Sequence, residues 1–171
     1  MAAYKFKIAL VGDGAVGKTS LIIKFVENMF KHEYKSTIGV DIFTKSVTID
    51  KNDVLMTLWD IAGQERFKVI RKGFFDGAAG AIIVYDITRK ETFENVDAWL
   101  KEVEEFTGPV PMIICGNKID LADKRQVSTK QGSSYANKLK KTFIETSAKT
   151  GENVENAFVE LCSEILSARK K

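Results

Sequence analysis

The stretch GDGAVGKTSL, residues 12–21, follows the apolar run FKIALV and holds three glycines, one lysine and two hydroxyl side chains. Glycine weakens helices and strands alike, so its repetition at the exit of a buried strand needs a separate cause. The stretch matches G-x-x-x-x-G-K-S/T, with Gly12 and Gly17 as the glycines, and this pattern lets a backbone wrap a phosphate chain with its amides pointing inward. Lys18 would bring positive charge to the outer phosphates, and the Thr19 hydroxyl would bind Mg²⁺.

Length and composition are those of an ordinary globular protein. The 171 residues suffice for one domain with a full hydrophobic core, and we assign residues 1–171 to a single domain. The net charge of +3, from 26 Lys and Arg against 23 Asp and Glu, does not indicate nucleic-acid binding.

The few cysteines and histidines exclude several kinds of site. Cys115 and Cys162 lie far apart in apolar contexts, which favours buried free thiols in a reducing compartment over a disulfide or a metal site. His32 is the single histidine and lies in a polar stretch, where we expect it to be solvated. One histidine argues against a zinc site and against a histidine-based triad. No apolar run approaches transmembrane length and the N-terminus lacks signal-peptide features, so we expect a cytoplasmic protein.

Short apolar runs alternate with stretches of helical periodicity. Runs at 4–11, 81–86 and 112–116 have the continuous apolar character of strands buried on both faces. TFIE, at 142–145, is predicted as the last strand. The polar turn DKND at 50–53 separates two alternating stretches and predicts an antiparallel hairpin.

Helical periodicity is clearest near the C-terminus, where Val154, Phe158 and Ile165 recur on one face, and in a second stripe at 96–103. STKQ, at 128–131, has the form of a capping box that opens another helix. This alternation predicts a largely parallel sheet with helices on both faces. Ligands of such sheets bind beyond the carboxyl ends of the strands.

The segment LWDIAGQERF, residues 58–67, ends a predicted strand with an acidic residue. Asp60 is placed to reach a magnesium ion beside the phosphates, directly or through water, because Mg²⁺ prefers oxygen ligands. Gly63 would offer its backbone amide to a terminal phosphate. From this segment alone, Asp60 could equally cap the next helix.

GNKID, residues 116–120, predicts recognition of a guanine base. The Asp120 carboxylate can accept hydrogen bonds from N1–H and the 2-amino group of guanine, whereas adenine has no matching donors. Paired polar contacts of this kind discriminate by about 10⁴-fold or more. Asn117 and Lys118 would tie the loops together and cover the base. Read alone, NKID could be a helix-capping turn.

ETSAK, residues 145–149, follows the last predicted strand. Ala148 would offer its amide to the base oxygen, and the stem of Lys149 would further cover the base. Each of these short motifs alone is weak evidence for a guanine-nucleotide site. Their occurrence in this order, each after a successive strand, is strong evidence.

The strings GDGAVGKTSL, YKSTIGVD, WDIAGQERF, IVYDIT, GNKID and ETSAK together resemble the Ras superfamily of small GTPases, in order and spacing, over nearly the whole chain. IGVD, ERF and FFDGA are similar more narrowly to the Rab family. The resemblance implies a three-layer α/β fold, the P-loop NTPase or small G-protein fold. Such a fold has a six-stranded, mostly parallel sheet with one antiparallel hairpin strand and about five helices.

The resemblance also implies roles that the motifs alone do not assign. The loop before Gly39 would be switch I, in which Thr37 binds Mg²⁺ and the γ-phosphate. Phe30 would pack against guanine, and Tyr34 would close over the phosphates. Gln64, in switch II, would position the attacking water.

The implied cofactors are GTP or GDP and Mg²⁺. The predicted nucleotide contacts are Asp13, Gly14, Ala15, Val16, Gly17, Lys18, Thr19, Ser20, Phe30, Tyr34, Thr37, Gly63, Asn117, Lys118, Asp120, Ser147, Ala148 and Lys149. The predicted metal ligands are Thr19, Thr37 and Asp60. The predicted catalytic group is Gln64, Lys18 and Thr37.

Several positions depart from the usual Rab pattern. Ile42 stands where Rabs usually carry phenylalanine, Phe74 where they carry tyrosine, and Ile61 where threonine is common, while Trp59 is retained. The resemblance implies that effectors bind switch I, switch II and the altered patch of Ile42, Trp59 and Phe74. It also implies activating and exchange proteins as partners, a monomer, and no nucleic-acid partner.

The last nine residues, SEILSARKK, contain no cysteine, so the C-terminal lipidation expected of a Rab is absent from this sequence. Either the chain is trimmed or the protein is not anchored in that way. We therefore expect a cytoplasmic protein that is peripheral on membranes if a lipidated tail has been removed.

These features predict a molecular switch of membrane trafficking that hydrolyses GTP slowly. Catalysis of phosphoryl transfer requires mainly that the protein position the reacting groups and neutralise their charge. The sequence shows no arginine clearly placed to neutralise the transition state, and in Ras, a relative by this resemblance, a partner's arginine raises the rate by about 10³–10⁵. We therefore expect turnover to depend on an activating protein.

Two alternatives stay open at this stage. The phosphate-binding motif alone also fits an ATP-using kinase, which GNKID argues against and which competition between GTP and ATP would test. The second alternative is a module that holds guanine nucleotide without cycling. Thr37 and Gln64 argue against it, and single-turnover phosphate release would decide.

Overall fold

A computed structural model describes residues 3–27 and 34–171, with the backbone alone for residues 34–37. In these residues the strands are β1 (Tyr4–Val11), β2 (Tyr34–Thr37), β3 (Val40–Ile49), β4 (Asn52–Ile61), β5 (Gly80–Asp86), β6 (Met112–Asn117) and β7 (Thr142–Thr146). They form one sheet in the order β2-β3-β4-β1-β5-β6-β7. β3 pairs antiparallel with β2 and β4, and every other pairing is parallel.

The helices of the described residues cover both faces of this sheet. They are α1 (Lys18–Val26), α2 (Lys68–Phe75), α3 (Lys90–Glu94), α4 (Val96–Thr107), α5 (Thr129–Lys138) and α6 (Val154–Arg169). Two short 3-10 turns lie at Glu65–Phe67 and Ile119–Lys124. Only Asn95 separates α3 from α4.

The predicted α/β class, the mostly parallel sheet and the antiparallel hairpin are confirmed. All six predicted strands are present, and β2 is an additional short strand that extends the sheet beyond β3. Its sequence, YKST, has no apolar alternation, and its pairing rests on backbone hydrogen bonds that periodicity does not reveal.

Alternating side chains of β1 separate two buried clusters. Phe6, Ile8 and Leu10 pack on one face of the sheet with apolar residues of α1 and α6. Ala9 and Val11 pack on the other face with residues of α2, α4 and α5. Because successive side chains of the strand point to opposite faces, the sheet packs against helices on both sides and forms the middle of three layers.

Two local predictions are confirmed in the structure. α5 begins with a capping box, in which Ser128 Oγ accepts a hydrogen bond from the Gln131 amide at 3.0 Å and Gln131 Oε1 accepts one from the Ser128 amide at 2.8 Å. Cys115 and Cys162 are buried free thiols, and burial raises the pKa of both to about 12.

His32 lies outside the described residues, so its expected solvation stays a prediction. Among the helices that the structure does describe, none combines the length and apolar character needed to cross a membrane.

A close approach of the backbone explains one glycine inside a helix. A Cβ on Gly132, in α5, would lie 2.4 Å from the Tyr85 hydroxyl oxygen and 2.5 Å from Cζ of Phe143. The Tyr85 side chain is fully buried, and its hydroxyl has no hydrogen-bond partner among the described residues. Gly132 therefore lets α5 pack directly on the aromatic side chains of β5 and β7.

We expect Gly132→Ala to lower the free energy of unfolding by about 1–3 kcal/mol through overpacking. This loss should occur although alanine, compared with glycine, stabilises an exposed helix interior by about 1 kcal/mol. Gly73→Ala in α2 is the matched control, because a Cβ there meets no atom within 4 Å. The control should be neutral or stabilising in urea denaturation, and stabilisation by both variants would contradict the packing described here.

Candidate functional site

A cavity of about 500 Å³ opens at the carboxyl end of the sheet, where the loops after β1 and β4 meet. The loop of residues 12–19, here called the glycine loop, forms one wall, and the segment after β4 forms another. The sequence-predicted residues that line it are Gly14, Ala15, Gly17, Lys18, Thr19, Ser20, Asp60, Gly63, Gln64 and Lys118. Ligands of mostly parallel sheets bind at this edge, beyond the carboxyl ends of the strands.

The glycine loop has its backbone carbonyls occupied. Six consecutive carbonyl oxygens, from Gly12 to Gly17, each accept a hydrogen bond. Lys18 Nζ donates to the first two, at 3.0 Å each. The next four accept from Arg89 at 2.8 Å, Lys118 at 2.8 Å, Asn117 at 2.9 Å and the amide of Leu21 at 2.9 Å.

The backbone amides of the same loop, in contrast, lack hydrogen-bond partners among the residues that the structure describes. Those of residues 13–17 donate to no acceptor within the described part of the chain. The N–H groups of the first turn of α1 have no intrahelical partner either, because α1 begins at Lys18. A run of free amides that leads into a helix N-terminus is an arrangement that binds anions.

Asp86, at the end of β5, links two of the cations that hold the glycine loop. Its Oδ2 lies 2.8 Å from Lys118 Nζ and 3.3 Å from Arg89 Nε, and its side chain is buried. Burial raises the pKa of Asp86, but hydrogen bonds from Lys118 and Thr88 outweigh it and hold the pKa below the ordinary aspartate value. One buried carboxylate thus positions two donors to the loop.

Lys18 and Asp60 face the cavity and are both nearly enclosed. Burial is the main cause that lowers the pKa of Lys18, against the nearby carboxylates of Asp60 and Asp13. Burial likewise raises the pKa of Asp60, against the hydrogen bond from Thr19 and the charge of Lys18. An anion beside Lys18 and a cation beside Asp60 would each favour the charged form of that side chain.

The Thr19 hydroxyl donates a hydrogen bond to Asp60 Oδ2, so two of the three predicted metal ligands are in contact. In the described residues no group of three or more His, Cys, Asp or Glu side chains could hold a metal ion. Among the side chains that the structure describes, a cation here would have one hydroxyl and one carboxylate as ligands. This fits Mg²⁺, which takes few protein oxygens and completes its shell with water and phosphate.

Gly63 is where the segment after β4 touches the glycine loop. A Cβ on Gly63 would lie 2.2 Å from the Gly12 carbonyl oxygen and 3.0 Å from the Asp13 carbonyl carbon. Only glycine permits this approach. The side chain of the next residue, Gln64, lines the cavity, and its Nε2 lies 4.0 Å from the position that a Cβ on Gly14 would take.

Asn117 joins three loops at the predicted base site. Its Nδ2 donates to the Val16 carbonyl, while its Oδ1 accepts from Thr146 Oγ1 at 3.0 Å and from the Ala148 amide at 3.3 Å. A Cβ on Gly17 would lie 2.3 Å from Asn117 Nδ2, so glycine is needed for this side chain to reach the loop.

Asp120 and Ser147 are brought together beside this junction. Ser147 Oγ donates to Asp120 Oδ1 at 2.8 Å, and Asp120 is exposed. Lys118, between Asn117 and the 3-10 turn that bears Asp120, has a left-handed backbone with φ of 77°. Lys149 is exposed at the edge of the same loop.

Some predicted residues lie elsewhere or outside the description. Phe30 is outside the described residues, as are the side chains of Tyr34 and Thr37, so their roles stay predictions. Val16 is buried. The Asp13 carboxylate turns toward α4, where it accepts from Asn95 Nδ2 at 2.7 Å and Trp99 Nε1 at 2.8 Å, which leaves its backbone to face the site.

Asp86 and Arg89 were missed by sequence reasoning. The signal for Asp86 is the same as for Asp60, namely an acidic residue that ends a buried strand at the ligand edge of the sheet. Arg89 had no such signal, because its contact with Gly14 joins residues far apart in the sequence.

Comparison with known proteins gives consistent matches. The model of the Ras family matches residues 7–167. The Ras-related protein RABA1b of Arabidopsis thaliana is 45% identical over 169 residues, which cover 98% of this chain and 78% of that protein. The Ras-related protein Rab11B of Nicotiana tabacum is 47% identical over 163 residues, which cover 95% of this chain and 75% of that protein.

We expect Asp86→Asn to lower the free energy of unfolding at pH 7 by about 1–3 kcal/mol, because two cations lose their shared buried carboxylate. The folded-state pKa of Asp86 lies below its unfolded value, so this contribution is complete above about pH 4 and is lost as the pH falls through the folded-state pKa. Urea denaturation at neutral and acidic pH measures both effects.

Asp97→Asn is the matched control, because the Asp97 side chain is half exposed, pairs with the exposed Lys101, and accepts a hydrogen bond from Tyr135 that an asparagine oxygen can also accept. Its removal should change stability little. An Asp86→Asn variant that is no less stable at pH 7 than the control would show that the buried carboxylate does not hold the loop.

Proposed function

The chain belongs to the Ras family and is a Rab-like small GTPase that binds guanine nucleotide and hydrolyses GTP, and from this premise we propose which of its residues do so. The glycine loop binds the α- and β-phosphates through the amides of residues 13–17 and the first turn of α1. The observation that carries this proposal is the pattern of occupied carbonyls and free amides along that loop. The backbone itself is the binding group, which explains the glycines.

Lys18 supplies the fixed positive charge of the proposed site. Its side chain is only 7% exposed, and its three protons face the Gly12 and Asp13 carbonyls and the cavity. Thr19 and Asp60 would hold Mg²⁺, with Thr37 as the third ligand that the family resemblance implies. When bound, the ion supplies charge neutralisation on the phosphate oxygens.

Gln64 positions the attacking water in this proposal, and the Gly63 amide meets the terminal phosphate. Both residues lie against the glycine loop in the structure. Arg71 and Arg89 lie near them, and both of these guanidinium groups bond to protein atoms. Arg89 donates to the Gly14 carbonyl and pairs with Asp86, while Arg71 donates to the Gln64 carbonyl. This supports slow intrinsic turnover that an activating protein accelerates with an arginine of its own.

Asp120 selects the guanine base in the proposed site, with Asn117, Lys118, Ser147, Ala148 and Lys149 around it. Ser147 occupies one carboxylate oxygen of Asp120 and orients the group. The paired guanine donors then have a fixed acceptor, while adenine would leave it without a donor. An ATP-using kinase is therefore disfavoured, and the non-cycling alternative is not favoured by the Rab relatives.

The surfaces that change with nucleotide state are proposed to bind effectors and regulators. Ile38, just before Gly39, is 75% exposed, and Val69 on α2 is 83% exposed. Trp59 and Phe74 are partly buried, and their ring centroids lie 6.3 Å apart. Exposed apolar groups on the two switch segments suit partners that recognise one loop arrangement. We propose a role in membrane trafficking, with the protein cytoplasmic or peripheral on membranes.

We expect Asp120→Asn to reduce the affinity for GDP by about 100-fold or more and to favour xanthosine diphosphate, because the asparagine amide can donate to the additional carbonyl of xanthine. Asp123→Asn is the matched control, an exposed aspartate on the same 3-10 turn. Competition titrations with fluorescent GDP measure both variants. An unchanged preference for guanine in Asp120→Asn would contradict the assignment of the base site.

A further inference from the structure

Arg71 is a buried cation in α2 that no motif in the sequence singles out. Its side chain is 3% exposed, and its guanidinium pairs with Glu102 of α4 through Nη2 at 3.0 Å and Nε at 3.2 and 3.3 Å. The same guanidinium lies 4.7 Å from the ring centroid of Trp99. Arg71 is thus held on one side by a carboxylate and on another by an aromatic face.

The remaining nitrogen of Arg71 points back toward the cavity. Nη1 donates to the Gln64 carbonyl at 2.9 Å and lies 3.4 Å from the Ala62 carbonyl. These two carbonyls flank Gly63, which packs against the glycine loop. The Gln64 carbonyl also accepts the Phe67 amide at 3.0 Å, so a local turn and one distant side chain together fix the backbone of Gln64.

The contact continues from α4 to the glycine loop. Trp99 donates from Nε1 to Asp13 Oδ1 at 2.8 Å, and Glu102 lies on the same helix. α4 therefore holds the glycine loop through Trp99 and the segment after β4 through Glu102 and Arg71. One helix therefore contacts both the glycine loop and the segment that bears Gln64.

We propose that Arg71 and Glu102 form a positioning pair for Gln64, which sets the Gln64 backbone so that its side chain is aimed at the attacking water. The inference rests on the proposed role of Gln64 and adds two residues that do not touch nucleotide. Arginine suits this task because its planar fork bonds Glu102 and Gln64 at once, whereas a lysine ammonium is a point charge without that fork. A misplacement of about 1 Å in a reacting group can lower a rate by about 100-fold.

The test measures single-turnover phosphate release and the GDP dissociation rate separately in the full chain loaded with Mg²⁺ and nucleotide. We expect Arg71→Met to slow phosphate release by about tenfold or more while GDP dissociation changes by less than about threefold. The double variant Arg71→Met/Glu102→Leu leaves no partly buried carboxylate without its partner, and we expect the same loss of rate from it. Lys72→Met and Glu105→Gln are matched controls on the exposed sides of α2 and α4, with native rates expected.

Arg71→Lys separates positioning from charge. It keeps a cation opposite Glu102 but lacks the fork, and we expect its phosphate release to stay slow. A native rate in Arg71→Lys, or in Arg71→Met/Glu102→Leu, overturns the positioning role.

A double-mutant cycle with Gln64→Leu distinguishes this inference from the proposed function. If Arg71 acts through Gln64, Arg71→Met should slow phosphate release no further in a Gln64→Leu background, and an additive loss would overturn the inference. If Gln64→Leu itself hydrolyses GTP at the native rate, the proposed role of Gln64 fails, and the inference fails with it. If Gln64→Leu is slow and Arg71→Met is not, only the inference fails.

Discussion

The geometry of the candidate site depends on the hydrogen bonds that fix the backbone of the glycine loop. Its carbonyl oxygens from Gly12 to Gly17 are all occupied by donors, three of the six by side chains of other loops, and the amides of residues 13–17 are left without an acceptor in the described chain. A peptide group that is fixed through its oxygen presents its N–H in a fixed direction. The proposed anion site is therefore preformed, which would reduce the entropy cost of binding.

The same side chains connect the two halves of the site. Asn117 and Lys118 belong to the segment predicted to cover the base, yet each donates to a carbonyl of the glycine loop. Asp86 then ties Lys118 to Arg89, so that β5 and β6 jointly position the loop that follows β1. On the other side, Gly63 and α4 bring the segment after β4 against that loop. The glycine loop, which we propose binds the phosphates, is therefore in direct contact with the segment from Gly63 to α2.

Much of this arrangement could be predicted from the sequence, and the rest follows from contacts that sequence patterns do not carry. The hairpin of β3 and β4, the capping box at Ser128 and the buried strands have local signatures, because periodicity and turn chemistry are local properties. β2 has no such signature. Arg71 and Arg89 look like ordinary surface cations in the sequence, and only the packing of α2 and of the turn after β5 against distant carbonyls gives them a role.

The central claim is that free amides of the glycine loop bind the nucleotide phosphates. Residue-resolved hydrogen exchange of the GDP-loaded protein tests it directly, because the amides of residues 13–17 have no acceptor in the described chain and a bound phosphate would supply one. We predict that these amides exchange far more slowly than those of an unstructured peptide. Exchange at the unstructured rate, with GDP bound, would contradict it.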